Sequence, residues 1–347
     1  MKKRILTYLI IFILVVFILP ALFTKKSLNV ANLLNKKEDT GISENISTND
    51  ENLTPKYDYT KFSSIKLYHQ DTGETEELPI DEYLYGVVSA EMPANYEVEA
   101  LKAQAIVART YTLYQIINGA KKHDGAEICD KSTCCQAWLP REDRLAKWKE
   151  DERDENWNKI VKAVDETSGK IITYSGEPID AFFHANSGGK TESASNVWGG
   201  KDFPYLQSVE TSGEDGYSGY STEVTLSKDE LKEKLKEAYP DIEINLENSE
   251  EIKILEYTES GRVRTIKIGN TNVVATKLRS CIGLRSTFFD VKVDGANITF
   301  NVIGYGHGVG MSQTGADSLA KQGYGAEDIV KHFYTGVEVE FVNEATI

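Results

Sequence analysis

The chain has 347 residues, enough to bury a full hydrophobic core in one large domain or two. Its 39 basic and 54 acidic residues give a formal net charge of -15. Because phosphate backbones are bound by basic surfaces, this charge argues against a nucleic acid partner, although it is compatible with a neutral polymer such as a glycan.

The N-terminal 26 residues have the pattern of a membrane anchor. Lys2, Lys3 and Arg4 precede an apolar run from Ile5 to Phe23, and about 20 apolar residues span a bilayer core. No Ala-x-Ala cleavage site follows the run, and the basic residues place the N-terminus in the cytoplasm. Residues 27–60 are rich in Asn, Ser, Thr, Lys and Glu, which is typical of a disordered linker. We therefore expect a single-pass anchor, a linker, and a folded part outside the cytoplasm.

The folded part begins near residue 61 and contains both helical and strand-like patterns. Helical spacing of apolar residues predicts helices at Ile80–Val88, Glu97–Ile117, Arg141–Thr167, Ser227–Tyr239, Ser312–Lys321 and Ala326–Tyr334. Short runs rich in β-branched or aromatic residues predict strands at Ile65–His69, Lys170–Tyr174, Ile179–Phe183, Ile252–Tyr257, Val263–Ile268, Phe288–Val293 and Ile298–Val302. Ser227 and Glu230 have the spacing of a capping box at a helix start.

This order of elements predicts an α+β fold, with long helices on a mostly antiparallel sheet. Composition changes after about Thr211, and the helix and strands that follow carry no residues that look catalytic. We therefore assign residues 61–210 and 281–347 to a catalytic core and residues 211–280 to a smaller inserted subdomain. A cleft between the two would suit an extended strand of substrate.

Glu91 is the strongest candidate for a catalytic residue. It follows the apolar residues Val87, Val88 and Ala90 and precedes Met92, at the junction of two predicted helices. Burial beside apolar neighbours raises the pKa of a carboxyl group, so that it keeps a proton near neutral pH. The sequence therefore predicts a general acid at this junction, with a structural carboxylate as the alternative.

A cluster of metal-binding residue types follows the longest predicted helix. His123, Cys129, Cys134 and Cys135 fall within thirteen residues and could surround a zinc ion tetrahedrally. In an exported protein the same cysteines could instead form disulfides, with Cys281 as a further partner, or remain thiols. The spacing alone leaves these alternatives open.

Two glycine-rich segments contain further polar candidates. The segment from Phe183 to Thr191 contains His184, Asn186 and Ser187, and the segment from Gly304 to Ala316 contains His307 and Gln313. Hydroxyl, amide and imidazole groups suit hydrogen bonds to sugars, and glycine lets the backbone approach a ligand closely.

Three motifs occur in this order: the segment from Glu91 to Tyr111, the segment from Phe183 to Thr191 and the segment from Gly304 to Ala316. Together they resemble the stage II sporulation protein D family, which includes amidase-enhancer proteins. The resemblance runs from about Ile65 to Val339 and includes Ala108-Arg109-Thr110-Tyr111. It implies a lytic transglycosylase that cleaves glycan strands between N-acetylmuramic acid and N-acetylglucosamine, preferring strands without stem peptides. It also implies a role in engulfment during sporulation, beside a peptidoglycan amidase and other engulfment membrane proteins at the mother-cell membrane.

The resemblance also assigns roles to single residues. Ordinary glycoside hydrolysis needs two carboxyl groups, but a lytic transglycosylase uses the C6 hydroxyl of the sugar as its nucleophile, so Glu91 can act first as acid and then as base. Arg109 is assigned to holding the glycan or to a structural salt bridge. From their side-chain chemistry, we expect His184, Asn186, Ser187, His307 and Gln313 to bind substrate, with plain turn geometry or a core hydrogen bond as the alternative.

For the metal, the resemblance favours His123, Cys129 and Cys135 as zinc ligands, with Cys134 or a water completing the site. The relatives often have His where this chain has Cys134, so the fourth ligand stays open. A structural role for zinc is favoured because Glu91 already supplies the acid. Two other functions remain as alternatives: a non-catalytic, peptidoglycan-binding amidase activator, and a zinc hydrolase, which the absence of a His-Glu-x-x-His motif disfavours.

Overall fold

The computed structural model describes residues 62–119, 123, 125–200, 203–245 and 251–342. The predicted membrane anchor and the predicted linker lie outside these residues. Within the described ranges, no helix is both long enough and apolar enough to cross a membrane.

The described residues form an α+β fold, as predicted. The helices are α1 (Ile80–Glu91), α2 (Val98–Asn118), α3 (Arg141–Ala146), α4 (Arg153–Asp165), α5 (Ala194–Trp198), α6 (Lys228–Lys236), α7 (Ala275–Ile282), α8 (Gln313–Lys321) and α9 (Ala326–Phe333). The strands are β1 (Ser64–Tyr68), β2 (Thr75–Pro79), β3 (Ile128–Cys129), β4 (Lys170–Tyr174), β5 (Glu177–Pro178), β6 (Phe183–His184), β7 (Ser221–Ser227), β8 (Ile252–Tyr257), β9 (Val263–Ile268), β10 (Thr271–Val274), β11 (Phe289–Asp294), β12 (Asn297–Ile303), β13 (Met311–Ser312) and β14 (Glu338–Phe341).

Helix α2 is the centre of the larger hydrophobic core. It packs against α1, α4, α8, α9 and β4. Its buried face carries small residues, including Ala103, Ala105 and Ala108, and small side chains let neighbouring helices approach closely. The backbone becomes extended at Gly119, where the helix ends, and glycine is needed there because a Cβ would lie 2.2 Å from the carbonyl oxygen of Gln115.

Most strand pairs are antiparallel, as predicted, and two parallel pairs are important for the site. Strand β3 lies parallel to β1, which places Cys129 opposite Tyr68. Strand β13 lies parallel to β6, which places Met311 opposite Phe183 and Ser312 opposite His184. The second pair joins the two glycine-rich segments.

A second hydrophobic cluster is formed by residues between Leu231 and Val302. It contains α6, α7 and the sheets β10-β9-β8 and β11-β12-β7. Because β12 pairs with β7 and β11 pairs with β12, we propose that the inserted subdomain extends to about residue 303 rather than to 280. The expected cleft beside this subdomain stays a prediction.

Two predicted elements are wrong in their extent. The predicted helix from Arg141 to Thr167 is divided into α3, a 3-10 turn at Glu150–Glu152, and α4. A cation–π contact places the guanidinium of Arg144 4.6 Å from the ring of Trp148 at this interruption. Of the predicted strand Ile179–Phe183, Phe183 alone lies in a strand, at the start of β6, because Phe182 N–H donates to Asp180 O in a tight turn. The predicted capping box of α6 is confirmed.

Candidate functional site

Glu91 is the last residue of α1, and its carboxyl group connects three segments of the chain. The backbone N–H of Ala137 donates to Glu91 Oε1 at 2.6 Å. The side-chain amide of Gln313, at the start of α8, donates to Oε2 at 3.3 Å. Pro93 follows closely, and the residue before a proline is disfavoured in a helix, so α1 ends here.

Burial raises the pKa of Glu91 above its ordinary value, as the sequence predicted. The hydrogen bonds from Ala137 and Gln313 favour the ionised form and offset this effect only in part. The residue keeps some exposed surface. Glu91 is thus a carboxylic acid that holds its proton to a higher pH than an exposed glutamate does, and that a ligand can still reach.

The loop that contains Ala137 is held against α1 and α2 by a buried amide. Gln136 Nε2 donates to Tyr83 Oη at 2.8 Å and to Thr112 Oγ1 at 2.9 Å. Gly86 allows this close packing, since a Cβ there would lie 2.2 Å from Trp138 Nε1. These contacts fix the position from which Ala137 donates to Glu91.

The same loop carries a cluster that could hold a metal ion. Ligand atoms of His123, Cys129, Cys134 and Cys135 all lie within 4.8 Å of one another. His123 Nε2 is 3.6 Å from Cys134 Sγ and 3.9 Å from Cys135 Sγ, and the two Sγ atoms are 3.9 Å apart. Bonds of about 2.0–2.3 Å to a tetrahedral zinc ion give ligand separations of roughly 3.5–3.8 Å. The donor set and most of its spacing therefore fit zinc, and Cys134 lies with the three predicted ligands.

A disulfide within this cluster does not fit the structure. The Sγ atoms of Cys134 and Cys135 lie 3.9 Å apart, whereas a disulfide needs about 2.05 Å. In the described part of the chain, no disulfide joins Cys281 or any other cysteine. The alternative of disulfides is therefore wrong for this structure.

A buried carboxylate, Glu214, organises the other side of the site. It accepts hydrogen bonds from Thr211 Oγ1 at 2.6 Å, from Thr314 Oγ1 at 2.8 Å, from Gly189 N–H at 2.9 Å and from Ser312 Oγ. Ser312 and Thr314 flank Gln313, which contacts Glu91. Glu214 therefore fixes the segment from which Gln313 reaches the acid.

Asn186 and Ser187 belong to this buried network. Ser187 donates through its N–H and its Oγ to Glu214. Asn186 Oδ1 accepts from Gly188 N–H at 2.9 Å, and its Nδ2 is 3.4 Å from the carbonyl oxygen of Glu214. Both side chains are buried. Their polar groups shape the loop rather than face solvent, which corrects the prediction that they contact substrate.

We expect replacement of Glu214 with Gln to destabilise the fold in a pH-dependent way. Burial alone would raise the Glu214 pKa, but hydrogen bonds from Ser187, Ser312 and Thr211 lower it to about 2. The pKa of a glutamate in the unfolded chain is about 4.3, and the difference between the two pKa values contributes about 3 kcal/mol to the free energy of unfolding. A carboxyl group whose pKa is lowered by folding stabilises the folded state at pH values above its pKa in the unfolded chain. This stabilisation is lost as the pH falls toward 2.

Urea unfolding at neutral and acidic pH measures this difference. Glu214→Gln should lose about 3 kcal/mol at pH 7, and the gap to the parent should narrow below about pH 4. Glu210→Gln is the matched control, because this exposed acid pairs with Lys190 at the surface. A gap that stays constant with pH would contradict the assigned role of the Glu214 carboxylate.

The two predicted histidines lie together but differ in exposure. His184 is buried, and its Nδ1–H donates to Val309 O at 3.1 Å. His307 is partly exposed, and its Nδ1 accepts from Val309 N–H at 3.1 Å. Their ring centroids are 5.7 Å apart. Burial lowers the pKa of His184 to about 3 and of His307 to about 4, so both rings are neutral at pH 7.

Arg109 lies inside the core and not in the site. Its side chain has no accessible surface, and its Nη2 is 3.3 Å from Asp81 Oδ1. It also donates to the carbonyl oxygens of Val164 and Lys170. This is the structural salt bridge that the sequence left as the alternative, and the prediction that Arg109 holds the glycan is corrected.

Sequence reasoning missed three residues beside the predicted ones. Glu214 lies in a Ser/Gly-rich stretch that gave no periodic signal. Gln104, buried in α2, is 3.4 Å from the amide nitrogen of Gln313, and helical spacing could have shown that it shares a face with Leu101. Trp198 is half exposed next to His307. Its position directly before Gly199-Gly200 could have indicated an exposed tryptophan in a loop.

Comparison with known proteins gives the following similarities. A family described as stage II sporulation protein matches residues 68–174, and a family described as a domain of unknown function matches residues 210–310. The chain is 35% identical over 278 residues to stage II sporulation protein D of Bacillus amyloliquefaciens, which covers 80% of this chain and 78% of that protein. It is 34% identical to the Bacillus subtilis (strain 168) protein of the same name, with the same coverage. It is 28% identical to the amidase enhancer of Bacillus subtilis (strain 168), over 73% of this chain and 39% of that protein.

Proposed function

The chain belongs to the stage II sporulation protein D family, and on that premise we propose that it is a lytic transglycosylase acting on peptidoglycan during sporulation. The bond cleaved lies between N-acetylmuramic acid and N-acetylglucosamine, in strands without stem peptides. The observation that carries the proposal is Glu91, a carboxyl group that is accessible, has a raised pKa and is held by two donors.

The geometry suggests which oxygen of Glu91 carries the proton. Oε1 accepts the shorter hydrogen bond, at 2.6 Å from Ala137 N–H, whereas Gln313 lies 3.3 Å from Oε2. The proton therefore belongs on Oε2. In the first step Oε2–H protonates the glycosidic oxygen as its bond to the sugar breaks. The C6 hydroxyl of the muramic acid residue then attacks its own C1 while Glu91, now ionised, takes the hydroxyl proton, giving a 1,6-anhydro end and consuming no water.

Two buried glutamates, Glu192 and Glu214, do not compete for this role. Burial would raise the pKa of Glu192 and of Glu214, but the hydrogen bonds to each lower it below the ordinary value. Both are ionised at neutral pH and already surrounded by donors. Neither has a proton to give, which supports a mechanism with one acid.

Gln313 is expected to tune the pH range of the reaction. Its amide favours the ionised form of Glu91, so Gln313→Met should raise the Glu91 pKa. A group that must be protonated loses activity as pH rises through its pKa, so the alkaline limb of the rate profile should move to higher pH. Among the described residues, Tyr83 on α1 also lies near the Glu91 carboxyl group, and Gln104 on α2 contacts Gln313.

The pH dependence of glycan cleavage by full-length protein in detergent checks this expectation. Gln322→Met is the control, because Gln322 follows α8 and bonds to Ser318 instead. A Gln313→Met profile that matches the parent profile, or moves toward acid, would contradict the assigned contact.

We also propose that His123, Cys129, Cys134 and Cys135 hold zinc. The ion would supply tetrahedral cross-linking of the loop, and a closed set of four protein ligands is typical of structural sites. Gln136, which follows, is then held against Tyr83, and Ala137 is held where its N–H donates to Glu91. The protein residues that act on the substrate remain Glu91 and its neighbours.

The proposed setting is the mother-cell membrane, with the anchor in residues 1–26 and the catalytic part outside the cytoplasm. Proposed partners are glycan strands, a peptidoglycan amidase and other engulfment membrane proteins. The similarity to an amidase enhancer favours one alternative, a non-catalytic protein that binds peptidoglycan and activates an amidase.

Mass spectrometry of products from denuded glycan strands and from intact sacculi separates these functions. The proposed activity gives fragments with anhydro ends from denuded strands. An amidase activator alone gives no products, and a zinc hydrolase gives cut stem peptides. Either of these two results would refute the proposed function.

A further inference from the structure

Trp198 has an unusual setting for an exposed tryptophan. It is the last residue of α5, and half of its side-chain surface is exposed. Its ring centroid lies 4.6 Å from that of Phe182 and 5.2 Å from that of His307. Phe182 is in turn 6.2 Å from Tyr111 in α2. The indole therefore rests on other rings and leaves a flat apolar surface open to solvent.

The segment that carries Trp198 is firmly anchored. Glu192, just before α5, accepts hydrogen bonds from Asn196 Nδ2 at 2.8 Å, from Ser260 Oγ at 2.8 Å and from Thr258 Oγ1 at 2.5 Å. Arg264 Nη2 donates to Asn196 Oδ1 at 2.6 Å. A rigid aromatic side chain loses little conformational entropy when a ligand binds to it.

Two glycines follow Trp198 directly. Gly199 and Gly200 follow with φ angles of 68° and 75°, and among the described residues no atom lies within 4 Å of the position of a Cβ on either. Side chains are disfavoured at such angles, so glycine at these two positions adds no side chain beside the half-exposed indole. A ring-shaped ligand can lie flat here.

Trp198 is also connected to the acid by a short path. Phe182 O accepts from Met311 N–H at 3.2 Å, where β6 and β13 pair. Gln313, which contacts Glu91, is two residues beyond Met311, or about 7 Å of extended chain. A polymer that reaches Glu91 can therefore also pass over Trp198.

We propose that Trp198 is a stacking platform for a pyranose ring of the glycan strand, at a subsite separate from the Glu91 carboxyl group. The apolar C–H face of an N-acetylhexosamine matches the flat indole, while its hydroxyl and amide groups remain hydrated at the edges. This assignment rests on the proposed glycan substrate, but it concerns binding and not the bond-breaking step.

Binding is measured in full-length protein carrying Glu91→Gln, so that no strand is cut, by calorimetry with denuded glycan strands. Adding Trp198→Ala should weaken binding about 10-fold or more, and Trp198→Phe should retain most of the affinity. Tyr324→Ala, which removes an exposed aromatic ring elsewhere, should have no effect. Equal affinity of the Trp198→Ala and parent proteins for glycan would refute the stacking role of Trp198. The exposed face of Trp198 would then be a candidate contact for a protein partner.

A second measurement does not depend on the alanine variant folding. Trp198 is the most exposed of the four tryptophans, so saturating glycan should protect the fluorescence of the Glu91→Gln protein from acrylamide. The protection should be absent in Trp198→Phe, and its persistence there would overturn the proposal. If glycan affinity depends on Trp198 but wild-type protein does not cleave glycan, the proposed enzymatic activity is refuted and the stacking role of Trp198 is supported. If replacing Trp198 changes neither cleavage nor glycan affinity, the enzymatic activity is supported and the stacking role of Trp198 is refuted.

Discussion

Replacing Glu91 with Gln lowers the rate of glycan cleavage by about 10⁴-fold, the upper end of the range for a general acid or base. The upper end is expected because a single residue performs both proton transfers. The substitution keeps the shape of the side chain, and its Oε1 can still accept the short hydrogen bond from Ala137. What is lost is the proton on Oε2 and the carboxylate that would take the second proton.

The rate is measured as anhydro ends released from purified sacculi by full-length protein. Glu97→Gln is the matched control, since this acid is six residues away and exposed, and it should cleave at the parent rate. Thermal unfolding separates loss of chemistry from loss of fold. Undiminished release by a folded Glu91→Gln protein would remove Glu91 from the mechanism.

Removing the metal is expected to have the second largest effect. Purified protein should contain about one zinc per chain, and a chelator should cost about 4 kcal/mol if zinc had been present at 1,000 times its Kd. For a folded part of this size, the loss corresponds to a Tm lower by about 8–16 °C. Cleavage should fall as well, because Ala137 donates to Glu91 from the loop that the cluster closes.

Metal analysis and thermal unfolding of single variants test the ligand set. Cys135→Ser and Cys134→Ser should each lose zinc, whereas Cys281→Ser should not, because Cys281 packs against the second hydrophobic cluster. Zinc retained in full by Cys134→Ser would show that a water completes the site. A preparation with little zinc, or a Tm unchanged by the chelator, would contradict the metal site altogether.

The parts of the fold that sequence predicted well are those set by local patterns. Helix α2 begins and ends within one residue of its prediction, because its apolar spacing and the terminal Gly119 are local signals. The strands β8 and β9 match their predicted limits, and Ser227 forms the predicted capping box. The raised pKa of Glu91 was also predictable, since its neighbours in sequence are apolar.

The rest depended on contacts between distant segments. Strands β6 and β13 have two residues each, and their pairing joins positions near 183 and 311, which no local pattern indicates. Asn186 and Ser187 have side chains suited to ligand binding, but in the structure both residues contact Glu214, which is distant in sequence. Arg109 looked equally suited to a glycan or a salt bridge, and only the packing of Asp81 against it decided between them.

The most direct test of the central claim is the fate of water during cleavage of denuded glycan strands. The reaction is run with full-length protein in water labelled with heavy oxygen, and the new ends are analysed by mass spectrometry. We expect anhydro ends that carry no label, because the C6 hydroxyl of the sugar replaces water as the nucleophile. Labelled reducing ends, each heavier by one water molecule, would show hydrolysis and would contradict this expectation.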